Sequence, residues 1–219
     1  MSIQQVIIRF PEIRLQTRDA HKLRGYFGNL FASESPLLHN HLSDGSLSYS
    51  YPKVQYKVIN NQPLLVGLGE GAELLTALFM KIRELNIDGR LYPIDQKNIS
   101  TSLIQPGSST QHHKYAFQTL WMGLNQTNAS VYLKMPAPEK KAFLERVLTG
   151  NCLSFLKGME IFIDERLQVR GAFTEKLTTF KNKRMFAFSG FFEVNASLPD
   201  YIGLGKQVSR GFGTIIRTA

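Results

Sequence analysis

A single cysteine, Cys152, in 219 residues excludes an internal disulfide. With only five histidines beside it, no Cys/His set has the spacing of a structural zinc site. Acidic residues are also scarce, 17 against 26 Lys and Arg, and no D-x-D or H-x-D pattern marks a magnesium site. Asp164-Glu165 is the one adjacent acidic pair of the second half. No metal and no cofactor is therefore expected. No apolar run approaches the roughly 18–20 residues that span a bilayer. The opening MSIQQVIIRF lacks the basic start and long apolar core of a signal peptide. These absences lead to the expectation of a soluble, cytoplasmic protein without a membrane partner. What is present is a core: 43% apolar residues and 11% aromatics, 15 of them Phe, exclude a disordered chain. The length suits one large domain or two small ones, at roughly 100–200 residues each.

The net charge of +9 is unevenly placed. Between Arg166 and Arg217 stand nine basic residues and three acidic ones, an excess of 9 − 3 = +6. Clustered positive charge draws polyanions by counterion release, although solvated strand faces and loops would carry the same composition.

Along the chain, two halves show a similar order of elements. Ile3–Phe10 reads as a strand, and Ala20–Phe31 as a helix with Leu23, Tyr26, Phe27 and Leu30 on one face. Ser43-Asp44-Gly45 is a turn, SLSYSYPKVQYKVI is strand-rich, and Asn60-Asn61 and Pro63 punctuate it before a short PLLV run. Glu70–Leu85 reads as a helix and Gly89–Ile94 as the closing strand. The polar stretch 100–109 is the expected linker. Beyond it come a strand at Tyr115–Leu124, a helix at Pro138–Leu148 ended by Gly150, and strands at Met159–Ile163, Val169–Phe173 and Met185–Val194. The expected fold is α+β, two tandem ferredoxin-like βαββαβ modules spanning 1–99 and 110–219. A single mixed α+β domain is the alternative.

Three passages are glycine-rich. PLLVGLGEGAELL imitates a dinucleotide fingerprint, with Asp88 near the place of a ribose-binding acid. Its spacing is G-x-G-x-G, however, and Glu70 would oppose a pyrophosphate at that helix start. Gly205-Lys206 fails the P-loop pattern at Gln207 and at Asp200. The third, YIGLGKQVSRGFGTII, interleaves Gly203, Gly205, Gly211 and Gly213 with Lys206, Arg210 and Phe212. Glycines let a backbone approach a polyanion, the cations supply charge, and Phe212 can stack on a base. A tight terminal hairpin is the plainer reading.

The passage GLGKQVSRGFGTI resembles the C-terminal glycine-rich loop of the CRISPR-associated repeat-processing endoribonucleases, members of the repeat-associated RNA-binding superfamily. The preceding FFEVNASLP, the basic second half and the helix–histidine–strand order of the first half extend the likeness loosely over most of the chain. The resemblance implies two ferredoxin-like modules and a metal-independent cut of each CRISPR repeat. The ribose 2′-hydroxyl attacks the neighbouring phosphate and leaves a 2′,3′-cyclic phosphate. It implies repeat RNA as partner, with other effector-complex subunits as a second class, in a monomer or homodimer. A non-catalytic RNA-binding subunit is the alternative within the superfamily.

Such a cut needs a base, an acid and cationic help. The resemblance places the catalytic histidine in SPLLHNHLSDG, where His39 and His41, two residues apart, share a side of an extended segment. Tyr49, Tyr51 and Lys53 alternate along SYSYPK; Tyr49 is a candidate for holding the 2′-hydroxyl and Lys53 for the developing charge. Some members carry a lysine shortly after the histidine, which this sequence does not. Tyr26 is a further candidate with a core role as the competing reading. His112 and His113 read as the end of the linker, and His21 has no evident partner. Gly203, Gly205, Lys206, Arg210, Gly211, Phe212 and Gly213 are the RNA-binding candidates.

Overall fold

The computed structural model describes residues 1–31, 51–180 and 183–218. It separates into two compact units, Ser2–Ile104 joined by Ser209–Gly211, and Gln105–Val208 with Phe212 onward and Met1. Both are α+β and both carry the ferredoxin-like strand order. Among the described residues no helix is long and apolar enough to cross a membrane.

In the N-terminal unit, β1 (Ile3–Arg9), β2 (Val54–Ile59), β3 (Gln62–Leu68) and β6 (Asn98–Ile104) form an antiparallel sheet in the order β2-β3-β1-β6. Asn60 and Asn61 join β2 to β3 with both φ angles positive, the two-residue turn whose twist suits a hairpin. Helices α1 (Ala20–Leu30) and α2 (Glu70–Leu78) supply Leu23, Phe27, Leu75 and Leu78 to a core that also takes Val6, Ile8, Tyr56 and Leu65 from the strands. Phe27 stacks on Tyr56 at 5.8 Å between centroids.

Two expectations are corrected here. The helix begun at Glu70 stops at Leu78, tightens into a 3-10 turn to Lys81, and gives way to β4 (Glu84–Ile87) and β5 (Arg90–Pro93). Asp88-Gly89, both at positive φ, turns that hairpin, which forms a sheet of its own. The fourth strand of the module is instead β6, and the stretch expected as a linker is strand on both sides of Gln105. Its polar composition reflects an edge strand with six of seven residues exposed.

In the C-terminal unit, β7 (Gly107–Phe117), β8 (Val169–Phe180), β9 (Lys183–Ser197) and β10 (Ile215–Thr218) pair in the order β10-β7-β9-β8. Two helices, α3 (Gln126–Lys134) and α4 (Ala137–Gly158), lie between β7 and β8. Asn125 caps α3 by accepting from Asn128 N–H. Gly150 does not end α4 but sits inside it, because Leu148, Cys152, Phe155 and Leu156 continue its buried stripe. Met159–Ile163, expected as a strand, is the exit from that helix. Between β9 and β10, where a second helix would complete the module, the chain runs instead as the glycine-rich loop with one 3-10 turn at Val208–Arg210.

The GLGEG segment is helix–strand packing. A Cβ on Gly67 would meet the Gly71 carbonyl oxygen at 2.4 Å, and one on Gly71 would meet that of Lys53 at 2.1 Å. Its glycines therefore bring α2 onto β3 and onto the entry to β2, and Asp88 turns a hairpin and pairs with Lys22 at 2.6 Å.

Lys57 of β2 is fully buried, and burial pushes its ammonium down to about 7. The unfolded chain, with the ordinary value near 10.5, binds the extra proton between these values, so stability rises with pH across that window. Lys57→Met is expected to melt above the native protein at pH 7, the margin shrinking by about 1.4 kcal/mol per pH unit toward pH 10. Thermal denaturation at pH 7, 8.5 and 10 checks this; a margin independent of pH refutes it.

Candidate functional site

The glycine-rich loop is held by backbone hydrogen bonds to the segment after β7. Gly213 N–H donates to Leu120 O at 2.8 Å and Lys206 N–H to Met122 O at 2.9 Å. Leu204 N–H donates to Gly213 O at 2.9 Å, and Ile215 N–H to Ile202 O at 3.0 Å, closing the loop across itself. Thr214 N–H, fully buried, donates to Thr119 Oγ1 at 2.9 Å. Such contacts need backbones nearly touching. Gly213 has φ +65, and a Cβ there would lie 2.0 Å from Leu204 O; Gly205 has φ +92, with Trp121 Nε1 and Met122 O at 2.8 Å from the same hypothetical atom. Trp121 is itself fixed, its Nε1–H donating to Asn151 Oδ1 of α4 at 3.0 Å and its ring packed among Phe117, Phe173 and Phe188.

The side chains between the glycines differ in setting. Lys206 is exposed, while Arg210 and Phe212 are half-buried and Gly203, Gly211 and Gly213 buried. The plain hairpin reading and the RNA-binding one are compatible: glycines build the loop, and Lys206 stands out from it.

Of the catalytic candidates, His39, His41 and Tyr49 lie outside the described residues. Lys53 lies just before β2, its Nζ 3.1 Å from a Glu70 carboxylate oxygen at the start of α2. Gly71 fixes the Lys53 backbone, so the GLGEG packing positions this lysine. Tyr51 Oη accepts from Gln55 Nε2 at 3.0 Å. Tyr26 donates its hydroxyl to Glu84 O at 2.9 Å and packs its ring edge on Phe27, a structural role.

His112 and His113 belong to β7 rather than to a linker. Arg217 Nη2 of β10 donates to His113 Nδ1 at 2.6 Å, so that nitrogen carries no proton and Nε2–H points to Ser109 Oγ at 3.1 Å. Burial, with Arg217 and His112 beside it, lowers the His113 pKa and keeps the ring neutral. His112 lines a polar cleft of about 520 Å³ with Ser108, Thr110, Glu165, Arg166 and Asn195. The register of β7 against β9 shifts between Ser108 and His113, which bends the strand along that cleft.

Residues 1–105 match the Cas6b N-terminal domain, and residues 107–218 match the Cas6b C-terminal domain. The chain belongs to the Cas6b family. A crystal structure of Cas6b is 36% identical over the whole of both chains, with a TM-score of 0.95. The solved structure of a CRISPR RNA processing endoribonuclease Cas6b is 32% identical over the whole of both chains, with a TM-score of 0.82. An uncharacterized protein of Methanocaldococcus jannaschii is 32% identical over 141 residues, 64% of this chain and 96% of its own.

Within this Cas6b chain the loop separates scaffold from charge, and two variants test that division. Gly213→Ala forces a strained φ and a backbone collision, and is expected to cost about 2 kcal/mol or more of stability. Lys206→Ala is expected to leave stability unchanged, to weaken RNA binding at low salt, and to reduce the slope of log K against log salt by about one. Chemical denaturation and RNA titrations at three salt concentrations read both.

Proposed function

We propose that this chain is a metal-independent endoribonuclease that binds the repeat of a CRISPR transcript and cuts it once by 2′-hydroxyl attack. It acts in the cytoplasm as a monomer or homodimer. The observation that carries the reading is membership of the Cas6b family along the full chain, together with the likeness to a solved CRISPR RNA processing endoribonuclease. The glycine-rich loop supports it, with Lys206 exposed on a backbone that comes close to its neighbours.

In this reading, one of His39 and His41 removes the proton of the 2′-hydroxyl as its oxygen attacks the adjacent phosphorus. The other protonates the departing 5′-oxygen as its bond to phosphorus breaks. The products are a 2′,3′-cyclic phosphate and a 5′-hydroxyl. Tyr49 holds the attacking hydroxyl or a phosphate oxygen, and Lys53, positioned by Glu70, offsets the charge that builds on the phosphate. Gly203, Gly205, Lys206, Arg210, Gly211, Phe212 and Gly213 form the loop that meets the RNA backbone and its bases.

Cleavage of repeat RNA in excess EDTA is the decisive assay. A single cut is expected that persists without metal, disappears when the ribose at the cut site is 2′-deoxy, and falls at least a hundredfold in His39→Ala and His41→Ala. Tight binding with no cut moves the chain to a non-catalytic RNA-binding subunit; normal cutting by both histidine variants refutes the assigned acid and base.

A further inference from the structure

The cleft beside β7 is built where the ladder gives way. Ser108 pairs with Ala196 and His113 with Val194, so Ser109, Thr110, Gln111 and His112 stand opposite Asn195 alone. The surplus residues bulge out of the sheet. Ser109 Oγ pins the bulge, accepting from Gln111 N–H at 3.1 Å and lying 3.1 Å from His113 Nε2. The segment leading into β8 forms the other wall. Asn195 Oδ1 accepts from Gln168 N–H at 2.6 Å, and Asn195 Nδ2–H donates to Arg166 O at 3.1 Å. Leu167, between them, is buried, which leaves Arg166 and Gln168 exposed.

His112, Glu165 and Arg166 line the resulting space of about 520 Å³, a size that suits a small flat ligand. Among the described residues neither Glu165 nor Arg166 forms an ion pair. A hydrogen bond with Ser108 holds the Glu165 carboxyl below its ordinary range, so it is ionised and accepts only, whereas the Arg166 guanidinium donates only. The carboxylate opposes a phosphate in the same cleft. A metal finds too few ligands, since no three acidic, His or Cys side chains gather to hold one among the described residues. An acceptor and a donor fork together match the edge of a heterocycle. Guanine alone among the RNA bases sets two adjacent N–H donors, N1 and the 2-amino group, next to the acceptors O6 and N7. A carboxylate takes the first pair, a guanidinium the second, and an imidazole can stack on the ring.

We propose that the β7 bulge, with Glu165, Arg166 and His112, is a specificity pocket for one unpaired guanine of the repeat RNA. Glu165 accepts from N1–H and the 2-amino group, Arg166 donates to O6 and N7, and His112 covers the ring. The pocket rests on the RNA-binding reading above and goes beyond it by naming the base that is read and the residues that read it.

GMP is the probe that tests the pocket without RNA, beside AMP and IMP, the analogue of GMP that lacks the 2-amino group. In titrations followed by amide NMR of residues 108–113, GMP is expected to bind about tenfold more tightly than IMP, and AMP more weakly still. Glu165→Gln binds GMP and IMP alike. Arg166→Gln weakens both about tenfold and preserves their ratio, because both carry O6 and N7. Glu193→Gln, an equal charge change on β9 outside the cleft, alters neither. In repeat RNAs with each guanine in turn replaced by inosine, one position costs the native protein about tenfold in affinity and costs Glu165→Gln nothing.

Equal GMP and IMP affinities in the native protein overturn the proposal, and so does a ratio that survives Glu165→Gln. If the nucleotides behave as expected but repeat RNA fails to displace GMP, the pocket serves a free guanine nucleotide and the RNA assignment falls. If one guanine is read and no repeat RNA is cut, the pocket stands and the nuclease reading fails. If RNA is cut normally while all inosine-substituted RNAs and both nucleotides bind alike, the nuclease reading stands and this pocket fails.

Discussion

Backbone lying directly on backbone is the constraint from which the C-terminal half takes its form. From Ile202 to Ile215 the glycine-rich loop bonds to Leu120, Met122 and itself through main-chain groups, at distances that side chains would not permit. Trp121, buried and tied to Asn151, is the platform under Gly205. A ferredoxin-like module normally covers its sheet with two helices. Here the helix between the third and fourth strands is absent, and a stitched loop closes the connection. The hydrogen bonds that a helix would have made within itself are made between strands of loop, so few main-chain groups are left to water.

The same device recurs in the N-terminal half for a different end. Gly67 and Gly71 let α2 approach β3 and the Lys53 carbonyl. A pattern that imitates a nucleotide site is spent on packing, and its one charged member, Glu70, is turned toward Lys53. In this protein glycine spacing by itself does not distinguish a ligand cradle from a close helix contact. The glycines of both passages serve close packing, and what differs is the charge beside them: an acid in GLGEG, cations in GLGKQVSRGFG.

Much of the architecture was legible. Apolar periodicity located β1, α1 and the start of α2, and Asn60-Asn61 marked a hairpin. Asp88-Gly89 carried an equally strong hairpin signal, but the helix expected over Glu70–Leu85 ran into β4, and β5 was mistaken for the module's last strand. The true last strand, β6, was illegible because an edge strand exposed on both faces has no apolar alternation to show. Gly150 marked a helix end by local propensity; the buried stripe running on to Leu156 overrode it. The close approach of Gly211 to Ala20 was not readable, since 191 positions separate them and folding alone unites them.

The division of labour inside the glycine-rich loop bears on how the sequence can drift. Positions 205, 211 and 213 are locked by geometry: any other residue there meets backbone or strains it. Lys206 projects outward and is anchored through its main chain, so replacing its side chain leaves the stitching intact. Mutation therefore samples new contact chemistries at that position while the path of the chain stays constant. A change of side chain there does not pass through a misfolded ancestor.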